Sequence, residues 1–401
     1  SAVLLCDGQR ASVARAATAG LADVFVVDDV SALQADRAPP APPLSSDLAA
    51  IVYTSGSSGA PKGVTLTHRN MTFVADSMIE YLAMQSSERV LSVLPLSFGY
   101  GLYQLLTCVR TGATLVLEAG LAFPGRVVQL LTDQAITTLP GVPTVFQVLL
   151  SLRGIDERDF PDLRVLTNAG AALPATTAAT LRRVFPGARL YSMYGQTECQ
   201  RVCYLPPEEQ AARPTSVGIA IPGTRAWVED AAGRIAAAGV VGELMIQGEH
   251  VMQGYWEDPE ATATRLQPAR WPWQRVLASG DLFRTDEDGY LYFVGRRDDI
   301  IKSGGEKIAP REVEEALHAA QGVREAAVVG VPDKLLGEAV HAHVALDPGH
   351  DVNAATLRRH CAERLEDYMV PRKVVIHDEL PRTDNGKVDR RALAAATSAS
   401  D

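Results

Sequence analysis

The chain has 401 residues, of which 47% are hydrophobic and 21% are charged, and its formal net charge is −10. This length predicts more than one domain, and the composition is that of an ordinary globular protein. The negative charge argues against a nucleic-acid partner, and no apolar stretch has the length of a membrane span. The five scattered cysteines favour free thiols in a reducing cytoplasm over disulfides or a metal site.

Residues 1–35 alternate apolar runs with a helical pattern, which predicts a strand–helix–strand piece of an open α/β sheet. The run Leu48–Val52 predicts a buried strand, and an amphipathic helical stripe begins at Met71. Between them lies Tyr53–Gly63, which is rich in Gly, Ser and Thr. Its glycines let the backbone approach an anion, and its hydroxyls and Lys62 donate hydrogen bonds. We therefore predict a phosphate-binding loop; the alternative is a mobile Gly/Ser linker.

Further strand-like runs alternate with helical segments, which predicts mostly parallel, layered α/β structure. They are Val90–Leu94, Thr114–Leu117, Ala135–Thr138, Leu163–Thr167 and Arg189–Tyr191. From about Ser216, short strands separated by tight turns predict an antiparallel sheet or a small β-barrel-like part. A small α+β unit follows, with a helix that opens at Pro310. The expected domains are a large N-terminal one over 1–297 and a small C-terminal one over 298–401.

Four later segments carry residue types suited to a nucleotide. Tyr191–Glu198 ends a strand and combines aromatic rings, a glycine, a hydroxyl and a carboxylate, which suit a base and Mg²⁺ beside phosphates. Ser279–Asp281 offers a carboxylate that suits ribose hydroxyls, Gly295–Gly305 joins a charged turn to a Gly-rich loop, and Pro381–Lys387 carries a lysine. Taken singly, they also fit a helix cap, an Asx-turn, a solvated hairpin and an exposed lysine.

Together and in this order, the segments resemble the adenylate-forming superfamily of acyl-CoA synthetases, nonribosomal peptide adenylation domains and luciferases. The resemblance runs from Ser1 to Arg391, and its most specific elements are the phosphate loop and the Pro-Arg-Thr-x-x-Gly-Lys motif that ends at Lys387. It implies an α/β fold in which a large N-terminal domain is joined by a hinge to a small, mobile α+β lid. Members usually have a considerable stretch before the part that resembles Ser1–Asp36, so we expect a missing N-terminal segment or a second chain that supplies it.

The resemblance also implies the residues that bind ATP. The phosphates would be held by Thr54, Ser55, Gly56, Ser57, Ser58, Gly59 and Lys62. Adenine would lie between Tyr194, which precedes Gly195, and the backbone of Gly170, Ala171 and Ala172. The ribose would bind Asp281 with Arg296 nearby.

For catalysis, the resemblance implies that Thr197 touches the α-phosphate, that Glu198 binds Mg²⁺ and that Lys387 reaches both the substrate carboxylate and the α-phosphate. Asp298 matches the hinge position. The lid would rotate between the two half-reactions and bring Lys302, Gly304 and Gly305 to the active site, where the glycines suit a thin pantetheine tunnel.

The predicted acid pocket disfavours an α-amino acid. Its walls would be Phe98, Gly99, Tyr100, Gly101, Ala169 and Met193. Amino-acid-activating members have an Asp after the Phe, whereas this chain has Gly99, and a buried ammonium without a partner is costly. An uncharged aryl or alkyl carboxylate is therefore preferred, although Phe98 and Tyr100 could also be plain core aromatics. The run Cys199–Arg201, just after the Mg²⁺ glutamate, has no explanation at this level.

The predicted function is an ATP- and Mg²⁺-dependent ligase that makes an acyl-adenylate and then a coenzyme A thioester. One alternative acceptor is the phosphopantetheine thiol of a carrier protein. An alternative of another class is a non-catalytic, nucleotide-binding scaffold subunit. The presence of Thr197, Glu198 and Lys387 together argues against that reading, because a degenerate member would usually lose one of them.

Overall fold

The computed structural model describes residues 42–55, 61–347, 349–383 and 388–398, together with the backbone of 2–6 and 22–26. The chain forms two compact units, Ser1–Leu44 and Ser45–Asp401. In the first unit, strands β1 (Ala2–Cys6) and β2 (Ala22–Val26) pair in parallel, with Ala2 opposite Ala22. This pairing confirms the two strands that the apolar runs of residues 1–35 predict.

The second unit is a layered α/β structure. Its strands are β3 (Leu48–Ser55), β4 (Pro61–Thr67), β5 (Arg89–Ser92), β6 (Thr114–Leu117), β7 (Thr138–Gly141), β8 (Val165–Asn168), β9 (Arg189–Tyr194), β10 (Cys203–Leu205), β11 (Ile219–Ala220), β12 (Arg225–Glu229), β13 (Gly242–Gln247), β14 (Gly254–Tyr255), β15 (Leu266–Pro268), β16 (Arg275–Thr285), β17 (Leu291–Arg296), β18 (Ile301–Ser303), β19 (Glu306–Ile308), β20 (Val323–Asp333), β21 (Gly337–Leu346) and β22 (Lys373–His377). Its helices are α1 (His68–Leu82), α2 (Gly99–Thr111), α3 (Pro124–Asp133), α4 (Pro143–Leu150), α5 (Ala175–Val184), α6 (Pro259–Arg265), α7 (Pro310–His318), α8 (Ala354–Ala362) and α9 (Arg390–Ser398). Among the helices in the described ranges, none is both long and apolar enough to cross a bilayer.

The largest sheet has the order β11-β10-β9-β8-β7-β5-β6. Strands β5 to β9 run parallel, and β10 and β11 continue the sheet in antiparallel fashion. Fully buried residues such as Leu91, Leu139 and Leu166 face helices on this sheet, where Val74 and Met78 of α1 join the same core. Each such side chain contributes roughly 1.5–3 kcal/mol by leaving water. The parallel α/β prediction is confirmed, and the carboxyl ends of β7, β8 and β9 form one edge.

The phosphate-loop segment lies in a hairpin rather than directly between a strand and a helix. Strand β4 follows the loop and pairs antiparallel with β3, so that Thr54 lies opposite Lys62. Helix α1 begins only at His68, where the Thr67 hydroxyl accepts a hydrogen bond from the Asn70 backbone N–H as an N-cap. The expectation that the loop leads straight into the helix was therefore wrong. The sequence does not predict β4, because Pro61 and Gly63 are residue types that are rare within strands.

The antiparallel part forms an open sheet, with the order β12-β13-β16-β15, and β17 pairs with the same edge of β16 as β15, farther along the strand; its described strands do not close into a barrel. Strand β16 corrects one local prediction. Ser279–Asp281 lies within this eleven-residue strand rather than in a turn before it. Gly280 has φ +71°, and the pairing with β13 is irregular here, so the strand bulges where glycine tolerates a left-handed backbone.

The C-terminal part is a small α+β structure, as the sequence predicts. Strands β20 and β21 pair antiparallel. On the edge of β21 opposite β20, β22 pairs in parallel and β18, which forms a hairpin with β19, pairs antiparallel. Helix α7 begins at Pro310, which confirms the predicted start. The division at residues 297 and 298 stays a prediction.

Candidate active site

The predicted adenine-binding elements follow neighbouring parallel strands. Gly170–Ala172 comes directly after β8, and Tyr194 is the last residue of β9, whose Ser192 pairs with Asn168. Gly170 has φ +85°, and the Asn168 side-chain amide donates to the Ala171 carbonyl at 3.1 Å, which fixes the turn. The edge formed by carboxyl ends of parallel strands is where α/β proteins bind ligands. The tertiary structure thus brings these two segments together.

Tyr194 and Asp281 form the first polar pair of the site. The Tyr194 hydroxyl donates to Asp281 Oδ2 at 2.5 Å, and Arg296 Nε lies 3.5 Å from Oδ1. Asp281 is 4% exposed. Burial raises the pKa of its carboxyl above the ordinary value, while the Arg296 charge opposes that rise. Burial and the Asp281 carboxylate also raise the pKa of Tyr194, so its hydroxyl stays a donor.

Glu198 and Lys62 meet through Tyr255, a residue of the two-residue strand β14. The Tyr255 hydroxyl donates to Glu198 Oε1 at 2.7 Å, and Lys62 Nζ lies 5.2 Å from the centre of the Tyr255 ring. No described residue donates to the second carboxylate oxygen of Glu198. Tyr255 therefore contacts both a lysine of the phosphate-loop hairpin and a buried carboxylate whose second oxygen receives no hydrogen bond from a described residue. Such an oxygen suits a hard cation such as Mg²⁺.

Arg265 lies near both polar pairs, Tyr194–Asp281 and Tyr255–Glu198. Its guanidinium lies 3.9 Å from Glu198 Oε1 and donates to Gln196 Oε1 at 3.2 Å. A Cβ added at Gly280 would lie 2.1 Å from an Arg265 nitrogen, so the bulge in β16 accommodates this arginine. Gly195 is similarly constrained, because a Cβ there would lie 2.1 Å from the Gln200 carbonyl oxygen.

Part of the predicted phosphate loop lies outside the described residues, namely Gly56, Ser57, Ser58 and Gly59. Thr54 and the backbone of Ser55 end β3, and Lys62 is the second residue of β4, opposite Thr54. Thr197 is half-buried, and its carbonyl accepts a hydrogen bond from the Gln200 side chain at 2.7 Å. The roles of these residues toward phosphate stay predictions.

The predicted acid-pocket residues cluster beside the adenine-binding turn. Tyr100, Gly101, Ala169 and Met193 are buried, and Phe98 and Gly99 are half-buried at the start of α2. The Tyr100 hydroxyl donates to the Thr167 carbonyl at 2.8 Å. A Cβ added at Gly170 would lie 3.7 Å from the Phe98 ring, which puts that ring in contact range of the adenine turn. Their role toward an acid stays a prediction.

The predicted lid residues lie apart from this cluster along the chain. Gly304 and Gly305, with φ +61° and +92°, form the tight turn of the β18–β19 hairpin, and Lys302 is exposed on β18. Asp298 is exposed in a single 3₁₀ turn, Arg297–Asp299, between β17 and β18. Lys387 lies outside the described residues. Its role and the hinge therefore stay predictions.

Three side chains of the region were missed by the sequence analysis: Tyr255, Arg265 and Arg201. Tyr255 and Arg265 belong to short elements 57 and 67 residues after Glu198, and no local pattern signals that they meet it. Arg201 did carry a signal, since it belongs to Cys199–Arg201, the run that has no explanation from the sequence alone. All three of Cys199, Arg201 and Cys203 are buried, and both cysteines are free thiols.

Comparisons with known proteins agree with this geometry. The family model described as AMP-binding enzyme matches residues 3–256, and the model for the AMP-binding enzyme C-terminal domain matches residues 312–387. The chain is 34% identical over 386 residues to a 3-[(3aS,4S,7aS)-7a-methyl-1,5-dioxo-octahydro-1H-inden-4-yl]propanoyl:CoA ligase from Rhodococcus jostii, covering 94% of this chain and 71% of that protein. It is 33% identical over 351 residues to a long-chain-fatty-acid–CoA ligase from Bacillus subtilis, covering 86% of this chain and 61% of that protein.

Two further matches extend the comparison. An L-proline–[L-prolyl-carrier protein] ligase from Pseudomonas fluorescens is 35% identical over 362 residues, with 87% of this chain and 68% of that protein covered. The solved structure of ATP-bound MatB from Rhodopseudomonas palustris has a TM-score of 0.90 and 28% identity, with 99% of this chain and 79% of that chain covered. The chain thus spans roughly 60–80% of the length of these proteins.

Proposed function

Because the chain belongs to the AMP-binding enzyme family, we propose that it uses ATP to convert a carboxylic acid into an acyl-adenylate and pyrophosphate, and then forms a thioester with coenzyme A. The observation that carries this proposal is that motif residues far apart in the sequence lie in contact with one another or with one shared residue. Lys62 and Glu198 share contacts with Tyr255, while Tyr194 and Asp281 bond directly to each other.

The first half-reaction brings two anions together, since the acid carboxylate attacks the α-phosphate of ATP. Positive charge near the phosphates offsets their repulsion as the transition state forms. Lys62 is available for the β- and γ-phosphates, and Lys387 is proposed to reach the reacting carboxylate and the α-phosphate. A Mg²⁺ ion held at the free oxygen of Glu198 would supply further charge there. Thr197, one residue earlier, is proposed to bind the α-phosphate.

The nucleoside would bind at the other polar pair. One carboxylate oxygen of Asp281 accepts a hydrogen bond from Tyr194 and the other lies 3.5 Å from Arg296 Nε, and a carboxylate with two acceptor oxygens suits two ribose hydroxyls. The Tyr194 ring and the exposed turn Gly170–Ala172 offer an aromatic face and a backbone wall to adenine. This assignment is supported by the ends of β8 and β9 lying side by side.

The acid is proposed to be an aryl or alkyl carboxylic acid and not an α-amino acid. A carboxylate at position 99 would be needed to pair with a substrate ammonium, and the chain has Gly99. A Cβ added there would lie 2.7 Å from the Gln200 side-chain oxygen, so the adjacent space is already filled. Tyr100, Ala169 and Met193 are buried and suit the walls of the pocket.

Coenzyme A is the proposed thiol acceptor, and Asp298 is the proposed hinge that brings Lys302, Gly304 and Gly305 to the site for this step. The second candidate acceptor is a carrier-protein phosphopantetheine, which the similarity to a prolyl-carrier-protein ligase favours. Four described cysteines are free thiols, which supports a cytoplasmic location as part of the proposal.

Pyrophosphate release tests the proposal directly. The protein is incubated with ATP and Mg²⁺ and a panel of aryl, alkyl and amino acids, with and without coenzyme A. Lys387→Ala should lose roughly 3–4 kcal/mol of transition-state stabilisation in adenylation, whereas Lys334→Ala, which removes an exposed lysine in the same part of the chain, should behave as the parent. Pyrophosphate formed only with amino acids would refute the assigned acid class. Absence of turnover with every acid would favour the non-catalytic scaffold.

A further inference from the structure

Arg201 is a buried cation. It is 4% exposed, and among the residues that the structure describes its Nε has no hydrogen-bond partner and no Asp or Glu forms an ion pair with it. Its guanidinium carbon lies 5.1 Å from the centre of the Tyr100 ring. Because an arginine does not lose its proton in proteins, this charge remains in place at every relevant pH.

The charge of Arg201 acts on three buried phenols, of which Tyr100 is the one in direct contact with it. Burial raises the pKa of Tyr81, Tyr100 and Tyr103, to about 12 for Tyr100, and in each case the positive charge of Arg201 opposes the rise. The phenols are therefore neutral and do not neutralise the guanidinium. The Tyr81 hydroxyl contacts Met193 Sδ at 3.0 Å and the Tyr100 hydroxyl bonds to Thr167, whereas the Tyr103 hydroxyl has no partner.

The cluster of Arg201, Tyr100 and Tyr103 adjoins the proposed acid pocket. Tyr100 and Met193 are proposed walls of that pocket. The Arg201 guanidinium lies over the Tyr100 ring, and Met193 contacts the Tyr81 hydroxyl. Gln200, the neighbour of Arg201, fills the space beside Gly99. A substrate group that passes between these walls would approach the guanidinium.

A guanidinium in this position is stabilised only in part by the protein. The face of Tyr100 provides a cation–π contact, but loss of hydration without a paired anion remains unfavourable. A planar carboxylate would offset this unfavourable loss of hydration, since the guanidinium can donate hydrogen bonds to both carboxylate oxygens. The unpartnered Tyr103 hydroxyl offers one further donor.

We propose that Arg201, together with the Tyr103 hydroxyl, binds a second carboxylate on the acyl substrate, so that the preferred acid is a dicarboxylic acid. The proposal rests on the acid-activating function proposed above and narrows its substrate class. One carboxylate reacts at the α-phosphate, and the other is held at Arg201. The acyl group of the preferred substrate then carries a second carboxylate, whereas the sequence predicts an uncharged acyl group.

The test compares matched pairs of acids that have the same carbon chain and differ in one carboxylate, such as adipate and hexanoate. With the parent protein, kcat/KM for pyrophosphate release should be roughly 10- to 150-fold higher for the diacid, the effect of hydrogen bonds to one charged group. Arg201→Met keeps the approximate volume and should remove that preference, chiefly through KM of the diacid. Arg201→Lys should retain part of it. Arg189→Met, which removes an exposed arginine 5.9 Å from the Tyr191 ring, is the matched control.

Using the ratio of diacid to monoacid within each variant cancels any general loss of folded or active protein. If Arg201→Met proves unstable, thermal unfolding of the parent in the presence of each acid gives the second readout, with a higher Tm expected for the diacid alone. A parent that prefers the monoacid would overturn the inference and leave the proposed function intact. A KM for ATP that rises equally with every acid in Arg201→Met would also overturn it, by assigning the arginine to the triphosphate. No pyrophosphate with any acid would refute the proposed function itself.

Discussion

The hydrogen bond from Tyr255 to Glu198 offers a one-atom test of the proposed metal site. Tyr255→Phe removes the hydroxyl that donates to Glu198 Oε1 at 2.7 Å and retains the ring over which Lys62 lies. Tyr255 and Glu198 are each 8% exposed, so little water is present to replace this hydrogen bond. Arg265, at 3.9 Å, is too distant to replace it with a direct hydrogen bond.

The expected size of the effect follows from this geometry. A hydrogen bond to a charged group contributes about 1.5–3 kcal/mol, and removal of a group that orients a metal ligand costs roughly 10- to 100-fold in metal affinity or activity. Burial and the Glu198 carboxylate raise the pKa of Tyr255, so the hydroxyl is a donor throughout the working pH range. We expect the Mg²⁺ concentration for half-maximal activity to rise by this factor.

The assay is pyrophosphate release over a series of Mg²⁺ concentrations, at saturating ATP and at the best acid found for the parent. Tyr292→Phe is the matched control, because its hydroxyl also donates to a carboxylate, Asp286 Oδ2 at 3.0 Å, in a separate part of the antiparallel sheet. A Tyr255→Phe protein with the parent's Mg²⁺ dependence would refute the reasoning that Glu198 is a metal ligand positioned by Tyr255.

Three other outcomes are expected. His250 is fully buried, and burial lowers its pKa to about 4 from 6.5, so on acidification the unfolded chain binds a proton that the folded chain does not. About 2 kcal/mol of unfolding free energy should therefore be lost between pH 7 and pH 5. Urea titrations at both pH values check this, and a loss in His250→Phe as large as that in the parent would contradict it. Asp298→Pro should spare adenylation and block thioester formation, measured as pyrophosphate and acyl-CoA, and equal loss of both would argue against a hinge there. Gly195→Ala should destabilise the protein by about 1–3 kcal/mol in thermal unfolding, because its Cβ meets the Gln200 carbonyl, whereas Gly125→Ala, where φ is also not left-handed and a Cβ meets no atom within 4 Å, should not destabilise it.

The sequence predicted the parts of the fold that depend on local pattern. The alternation of apolar strands and helices indicated the parallel sheet, and Tyr194, Glu198 and Asp281 were assigned to a nucleotide from residue type and order. In the structure Tyr194 is hydrogen-bonded to Asp281, and Glu198 is hydrogen-bonded to Tyr255, whose ring also contacts Lys62. The wrong predictions involve residues whose usual preference is overridden by tertiary pairing. Strand β4 contains Pro61 and Gly63, and its partners β3 and β14 determine its conformation.

Features that arise from burial could not be predicted in the same way. The contact of Tyr255 with Glu198 joins residues 57 positions apart, and periodicity carries no information on such pairs. Arg201 stood out in the sequence only as part of the unexplained run Cys199–Arg201, and the tertiary structure reveals that it lies over the Tyr100 ring and that no described carboxylate forms an ion pair with it. Side-chain pairing in the interior depends on the whole fold rather than on local composition.

The short bond between Tyr194 and Asp281 has a consequence for turnover. In the proposed nucleoside site, the hydroxyls of an arriving ribose would replace that of the tyrosine at Asp281, so the buried carboxylate would keep a hydrogen-bond donor when AMP departs. Release of the product and entry of the next ATP would then differ little in electrostatic cost at this residue. The tyrosine would thus take the place of the sugar in the empty pocket and keep it ready for the next cycle.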